Sequence, residues 1–321
     1  MTSEFGFIEN LRRRLPMPST PGETWIGDDA AALLPAEGWQ LLACDLAVAG
    51  VHADLGLVGI DDFGWKALAA CMSDIAAMGG EPRHALIGVA APTGTDLELL
   101  YEGIEAAARE FECRIVGGDL VGSPSLTVAA TVSGSCRGRP VLRSGGRPGH
   151  LLWVTGPLGA AAAGLRLLRS LSERGDCTST PKDQGGTCNA GERDDLTKAL
   201  VRAHARPIPL IEAGRRARMA GASAMIDVSD GFSADLTHLA QASEVGFRLH
   251  RVPVAPGATL EEALSGGEDY QLIVSAPPEV DLTEAFEGLD RPLVVGELTD
   301  DPRHRTLNGV ELEGRGWQHL F

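Results

Sequence analysis

The stretch Ile226–Leu236, IDVSDGFSADL, decides how the chain is read. Apolar Ala224, Met225 and Ile226 run into Asp227, Ser229, Asp230 and Gly231, and a helical pattern follows. This predicts a strand, a turn and the opening of a helix. Asp227 and Asp230 then fall at the strand's carboxyl end, where open α/β sheets place their ligands. Two carboxylates that close repel unless a cation lies between them. A single acid at such a turn is more often a helix N-cap, and Ser229 or Asp230 suffices for that role. For this stretch alone capping outweighs metal. Working outward, the pattern recurs. Gly27-Asp28-Asp29, Cys44-Asp45, Ser73-Asp74 and Gly117-Gly118-Asp119 all set Asp at the end of an apolar run or on a helix face.

The composition narrows the ligand. The chain has 321 residues, 44% of them apolar, enough for two domains with a sizeable core. Its net charge is −16, which argues against nucleic acid and against an anionic membrane. Lysine occurs only at 66, 182 and 198, so ammonium clamps for a phosphate are scarce. Divalent cations held by carboxylates would replace them. The six cysteines, Cys44, Cys71, Cys113, Cys136, Cys177 and Cys188, form no CxxC pair and fit buried thiols in a reducing cytoplasm. No N-terminal apolar core of a signal peptide and no run of membrane-spanning length is present, so a cytoplasmic protein is expected.

Along the chain, strands and helices alternate, predicting an α/β (α+β type) protein of two domains. Helix is expected over 61–79, closed by Gly79-Gly80 and Pro82. Asp74 interrupts its buried face, which is costly for an unpaired acid and favours a functional role there. Short strands are expected at 41–44, ending in Asp45, and at 114–116, ending in Gly117-Gly118-Asp119. The turn-rich RPVLRSGGRPG at 139–149 reads as the boundary between domains at 1–140 and 150–321. Arg143 beside glycines there suits a phosphate, although surface linkers share that look. Residues 172–193 are polar and aperiodic, a mobile insertion. Gly266-Gly267-Glu268-Asp269 is a second glycine–acid element leading into a strand. In the tail, Trp317 would close over a ring-shaped ligand or pack against the body. There is no GxxxxGK[ST], no GxGxxG after a strand, no HExxH and no GxSxG. Dispersed aspartates beside glycines remain, and all-oxygen ligands suit Mg²⁺ and substrate phosphates. The residues alone point to a Mg²⁺-dependent phosphotransferase.

GDDAA at 27–31, GWKALAACMSDIAAMG at 64–79, GGD at 117–119, RSGGRPG at 143–149, DVSDGFSADL at 227–236 and SGGEDYQL at 265–272 together resemble the thiamine-monophosphate kinase family. That family lies within the aminoimidazole-ribonucleotide-synthetase-like ATP-binding superfamily. The resemblance runs from about Phe5 to Trp317. It implies direct transfer of the ATP γ-phosphoryl group to thiamine phosphate, with Mg²⁺ and ATP required and no covalent catalytic residue. It also implies a two-domain fold in a homodimer, with the N-terminal ATP-binding sheets pairing at the seam. Asp29, Asp45, Asp74, Asp119, Asp227 and Asp230 correspond to metal ligands. Gly118, Asp119, Arg143, Ser229 and Tyr101 correspond to ATP-binding positions, and His52, Glu268 and Trp317 to those holding thiamine phosphate. The family pattern carries Ser/Thr-Thr before Asp45, where this chain has Ala43-Cys44, and a threonine after GGD, where it has Leu120. A thiol is a poor Mg²⁺ ligand. The alternative reading is a non-catalytic or divergent nucleotide- or phosphate-binding member of the same superfamily.

Overall fold

The computed structural model describes residues 4–16, 23–26, 30–173 and 191–318. The Gly27-Asp28-Asp29 element lies outside them, and with it the expected ligand Asp29. So do Cys177, Cys188 and residues 174–190 of the expected insertion. The chain divides into two units, Met1–Ile75 with Pro82–Gly138, and Ala76–Glu81 with Arg139–Phe321. The short Ala76–Glu81 segment counts with the second unit because Met78 accepts a backbone bond from Val141 and Ala76 lies against Gly214.

The first unit contains α1 (Glu4–Arg14), β1 (Trp39–Val48), α2 (Ile60–Ala77, to Ile75), β2 (Glu81–Ala91, from Pro82), α3 (Leu97–Glu110), β3 (Arg114–Gly122) and β4 (Thr127–Cys136). The four strands form one sheet in the order β1-β4-β2-β3. Alternation along β1 turns Leu41, Asp45 and Ala47 inward and Leu42, Cys44 and Leu46 outward. Phe63, Leu68, Met72 and Ile75 of α2 and Leu100 and Ile104 of α3 fill the core beneath. The outer face stays open, with Leu42 at 70% and Leu46 at 60% exposure. The expected strand end at Asp45 is wrong: β1 pairs with β4 without a break from Trp39↔Cys136 to Val48↔Thr127, so Asp45 lies within the ladder opposite Ala130. Small and β-branched residues on β4 favour that continued pairing. Likewise β3 runs on to Gly122, and a bulge at Val116 absorbs one residue against Ala85 and Leu86.

The second unit contains β5 (Leu151–Val154), α4 (Ala160–Glu173), α5 (Gly191–Ala205), α6 (Ile211–Ala220), β6 (Ala224–Asp227), α7 (Phe232–Ala242), β7 (Gly246–Leu249), α8 (Leu260–Ser265), β8 (Leu272–Ala276), α9 (Leu282–Ala285), β9 (Leu293–Thr299), β10 (Arg305–Leu307) and β11 (Val310–Glu311). Its seven strands run in the order β11-β10-β7-β9-β5-β8-β6. Side chains alternate between two cores. Leu152, Val154, Ile226 and Ile273 pack with Phe232, Leu236 and Leu239 of α7. Trp153, Met225, Leu272 and Val274 pack with Ala213 and Ala217 of α6 and with Leu282 and Phe286 at α9. β7 stops at Leu249, ahead of Pro253, which brings no N–H to a ladder.

Candidate active site

At one end of the second unit's sheet three motifs meet, and antiparallel pairing brings them there. Asp227 ends β6 and pairs with Leu272 at the start of β8. The residues after β6 and before β8 therefore share an end of the sheet. β6 and β8 run in opposite directions, so the chain leaves the sheet after Asp227 and re-enters it at Leu272 on the same side. Val228 N–H donates to Gln271 (2.7 Å), Tyr270 N–H to Val228 (2.9 Å) and Glu268 N–H to Ser229 (2.8 Å). Glu268 and Tyr270 are held at φ 67° and 49°, which costs non-glycine residues on the order of 1 kcal/mol each. These backbone bonds hold that strain in place. The tail is the third motif: Trp317 N–H donates to the Asp230 carbonyl (2.9 Å), and Arg315 N–H donates to Ser233 Oγ (3.0 Å). The Trp317 side chain is 55% exposed, leaving indole surface for a ligand. Asp227, Ser229, Asp230, Glu268 and Trp317 are thus brought together.

The N-cap of α7 is Gly231, with no side-chain cap bond, so neither Ser229 nor Asp230 is spent as a cap. The bond runs the other way. Asp235 Oδ2 accepts from the N–H groups of Ser229 (3.1 Å), Asp230 (3.1 Å) and Gly231 (3.0 Å). Burial pushes the Asp235 carboxyl up to about 7, its bonds from the Gly231 and Asp230 amides pull it down, and Asp227 and Asp230 push it up further. Asp269 plays a similar part for Glu268: its carboxylate accepts from Gly159 and Ala161 N–H and so caps α4. Burial pushes it up to about 6 against those bonds. His204, 3% exposed on α5, sets Nδ1 3.5 Å from Glu268 Oε2. The sequence reading missed Asp235, Asp269 and His204 as site residues. Asp235 and Asp269 stood inside quoted motifs, but His204 sits on an ordinary helix with no local signal.

In the first unit Asp45 and Asp74 flank Cys71, both raising its thiol pKa beyond the push from burial. Burial also raises Asp45 itself. Cys71 Sγ donates to Ala130 (3.3 Å), the residue opposite Asp45. Asp119 stands elsewhere: exposed on edge strand β3, beside Gly88 and in line with Ala129 and Leu46. Three strand spacings, about 14 Å, separate Asp119 from β1. Ligands of one Mg²⁺ sit at 2.0–2.1 Å from it, so Asp45 and Asp119 of the same chain are too far apart to share one ion. Gly118 is needed for this packing, since a Cβ there would lie 2.0 Å from the Ile87 carbonyl oxygen. His52 Nδ1 accepts from Val48 N–H (3.0 Å), and buried Lys66 reaches the His52 carbonyl (3.4 Å). Cys44 faces outward and accepts from Thr131 Oγ1 (3.3 Å), so its thiol is turned from Asp45, while Ala43 shares Asp45's face.

Two expected ATP positions fare differently. Tyr101 is 2% exposed in the core, its ring 5.3 Å from Phe7, which leaves almost no surface to meet ATP. Tyr101 lies on the buried side of α3 with Leu100 and Ile104. Arg143 is exposed, but its carbonyl and Gly146 N–H both bind Ser243 Oγ, at the C-cap of α7. That anchor lies a helix length, about 16 Å for 11 residues, from the Ser229 end. Among the described residues no three His, Cys, Asp or Glu side chains are grouped to hold a metal. Pairs of carboxylates do suit Mg²⁺, which takes one or two of them along with water and substrate phosphates.

Residues 27–136 match the model for the AIR synthase related protein N-terminal domain, and 147–307 that for its C-terminal domain. Fold and site thus define an AIR synthase related, two-domain protein. The chain is 34% identical to the thiamine-monophosphate kinase of Bacillus subtilis (strain 168), over 99% of each chain. It is 33% identical to that of Mycobacterium tuberculosis (strain H37Rv), over 98% of this chain and 91% of the relative. Among solved structures, AaThiL complexed with AMPPCP and TMP superposes with a TM-score of 0.74 at 29% identity, covering 99% of this chain and 97% of that one. Thiamine-monophosphate kinase from Stenotrophomonas maltophilia K279a does so with a TM-score of 0.78 at 29% identity, covering 97% and 98%. The chain belongs to the thiamine-monophosphate kinase family.

Proposed function

We propose that this protein transfers the γ-phosphoryl group of ATP to thiamine phosphate, giving ADP and thiamine diphosphate. The observation that carries this reading is the convergence of Asp227, Ser229 and Asp230 with Glu268 and Trp317 at one end of the sheet. Carboxylates for a cation and an exposed indole for an aromatic ring lie side by side there. The acceptor is itself a phosphate, whose second pKa is about 6, so its oxygen is already anionic at neutral pH and needs no general base. What the chain supplies is in-line placement and charge neutralisation. Asp29, Asp45, Asp74, Asp119, Asp227 and Asp230 would hold Mg²⁺, which when bound neutralises phosphate charge. Gly118, Asp119, Arg143 and Ser229 would meet ATP. His52, Glu268 and Trp317 would hold thiamine phosphate. The protein is proposed to work in the cytoplasm as a homodimer, pairing the open apolar faces around Leu42 and Leu46 with Asp119 near the seam. No helix among the described residues is long and apolar enough to cross a membrane.

The test is product formation from Mg·ATP and thiamine phosphate, with unphosphorylated thiamine as control. Thiamine diphosphate from the first acceptor and none from the second is the expected result. A second reading rests on Ala43, which brings no oxygen to the face Asp45 occupies. It is a divergent nucleotide binder, which would bind ATP in a Mg²⁺-dependent way and release no ADP.

A further inference from the structure

We infer that Asp235 is a positioning residue that makes the Asp227–Gly231 loop face cations rather than phosphate. Consecutive backbone N–H groups ahead of a helix ordinarily form a cradle for phosphate. Here the amides of Ser229, Asp230 and Gly231 precede α7, and all three point at Asp235 Oδ2. The cradle is filled from inside by the chain's own carboxylate, only 2% exposed. The loop's amide face is closed, and a phosphate reaches the loop through a cation on Asp227 and Asp230. Three anchored amides also fix the backbone that carries Asp230, while pairing with Leu272 fixes Asp227 at the end of β6. Carboxylates that support metal ligands in this way commonly govern metal affinity. The inference rests on the proposed metal role of Asp227 and Asp230.

Two variants separate positioning from bulk stability. Asp235→Asn keeps one acceptor oxygen, whereas Asp235→Leu keeps approximate size and accepts nothing. The probes are Mn²⁺ binding to the nucleotide-free protein by electron paramagnetic resonance, the Mg²⁺ half-saturation of turnover, and amide hydrogen exchange of residues 229–231. Asp235→Leu is expected to weaken Mn²⁺ binding and raise the Mg²⁺ half-saturation about tenfold or more. Asp235→Asn is expected to shift both by less, with kcat at saturating Mg²⁺ close to wild type and faster exchange at 229–231 in both variants. Faster exchange with unchanged metal response would overturn the inference, as would a lower kcat with no metal shift. If Asp235→Leu does not fold, Asp235→Asn alone decides by the same criteria. Mn²⁺ binding needs no turnover, so a wild-type protein without kinase activity but with Asp235-dependent Mn²⁺ binding sinks the kinase reading and keeps this one. Turnover whose metal response ignores Asp235 does the reverse.

Discussion

Asp269 shows how one residue can be legible in type and misread in role. Its place in Gly-Gly-Glu-Asp marked a functional turn, but no local signal pointed to a carboxylate that caps α4, more than a hundred residues away. Burial holds its pKa near 6, above the ordinary 3.8. A raised folded pKa means stability that is fully present below about pH 4 and lost as the pH rises through about 6. Asp45, raised by burial, and Asp235, near 7 for the same cause, share that sign. Between pH 5 and pH 7.5 these three carboxylates lower the melting temperature of the ligand-free protein as the pH rises, while His84 and His150, whose pKa values burial lowers, act in the opposite sense. Asp269→Asn, which keeps an acceptor for the cap, should flatten part of that slope by thermal unfolding across pH. An unchanged slope would mean the carboxylate is ionised in the fold throughout.

At the scale of elements, the tail stands on α7 through a close approach at Gly316. A Cβ there would lie 2.6 Å from Ala234 Cβ and 2.7 Å from the Asp230 carbonyl oxygen. Gly316→Ala must lift the tail, carrying Trp317 from the Asp230 backbone. We expect the KM for thiamine phosphate to rise about tenfold, equivalent to about 1.4 kcal/mol, with a smaller change in KM for ATP. Steady-state kinetics with each substrate varied would show it, and equal changes in both would place Trp317 outside the acceptor site. Local signals located most elements here, because glycine, proline and periodicity act over a few residues. They missed the lengths of β1 and β3, since a ladder partner decides where pairing stops. Asp45 and Asp119 thus sit inside strands that their apolar runs alone placed just before them.

For the whole molecule, the open face of the first unit's sheet is the surface that the proposed dimer would cover. Leu42, Leu46 and Leu86 stand out from it at 70%, 60% and 45% exposure. Leu42→Glu with Leu46→Glu puts two charges into that face without touching the buried core. Light scattering after size exclusion should report a wild-type dimer and a monomeric double variant of unchanged secondary structure. A monomeric wild type would remove the seam from the proposal. The net charge of −16 belongs to this scale too, since it made cations the natural counterpart of a phosphate ligand.

The sequence by itself determined the alternation of strands and helices, the two-part organisation, the acid-rich motifs and the resemblance that joins them. Those follow from side-chain period, turn chemistry and residue type, all local properties. Only the tertiary structure decided that β6 and β8 run antiparallel and so gather Asp227, Glu268 and Trp317 at one end. It alone turned Tyr101 into the core, set Arg143 at the far end of α7 and placed Asp235 behind its own loop. Strand order and the direction of each buried side chain depend on partners distant in sequence, which no local pattern encodes.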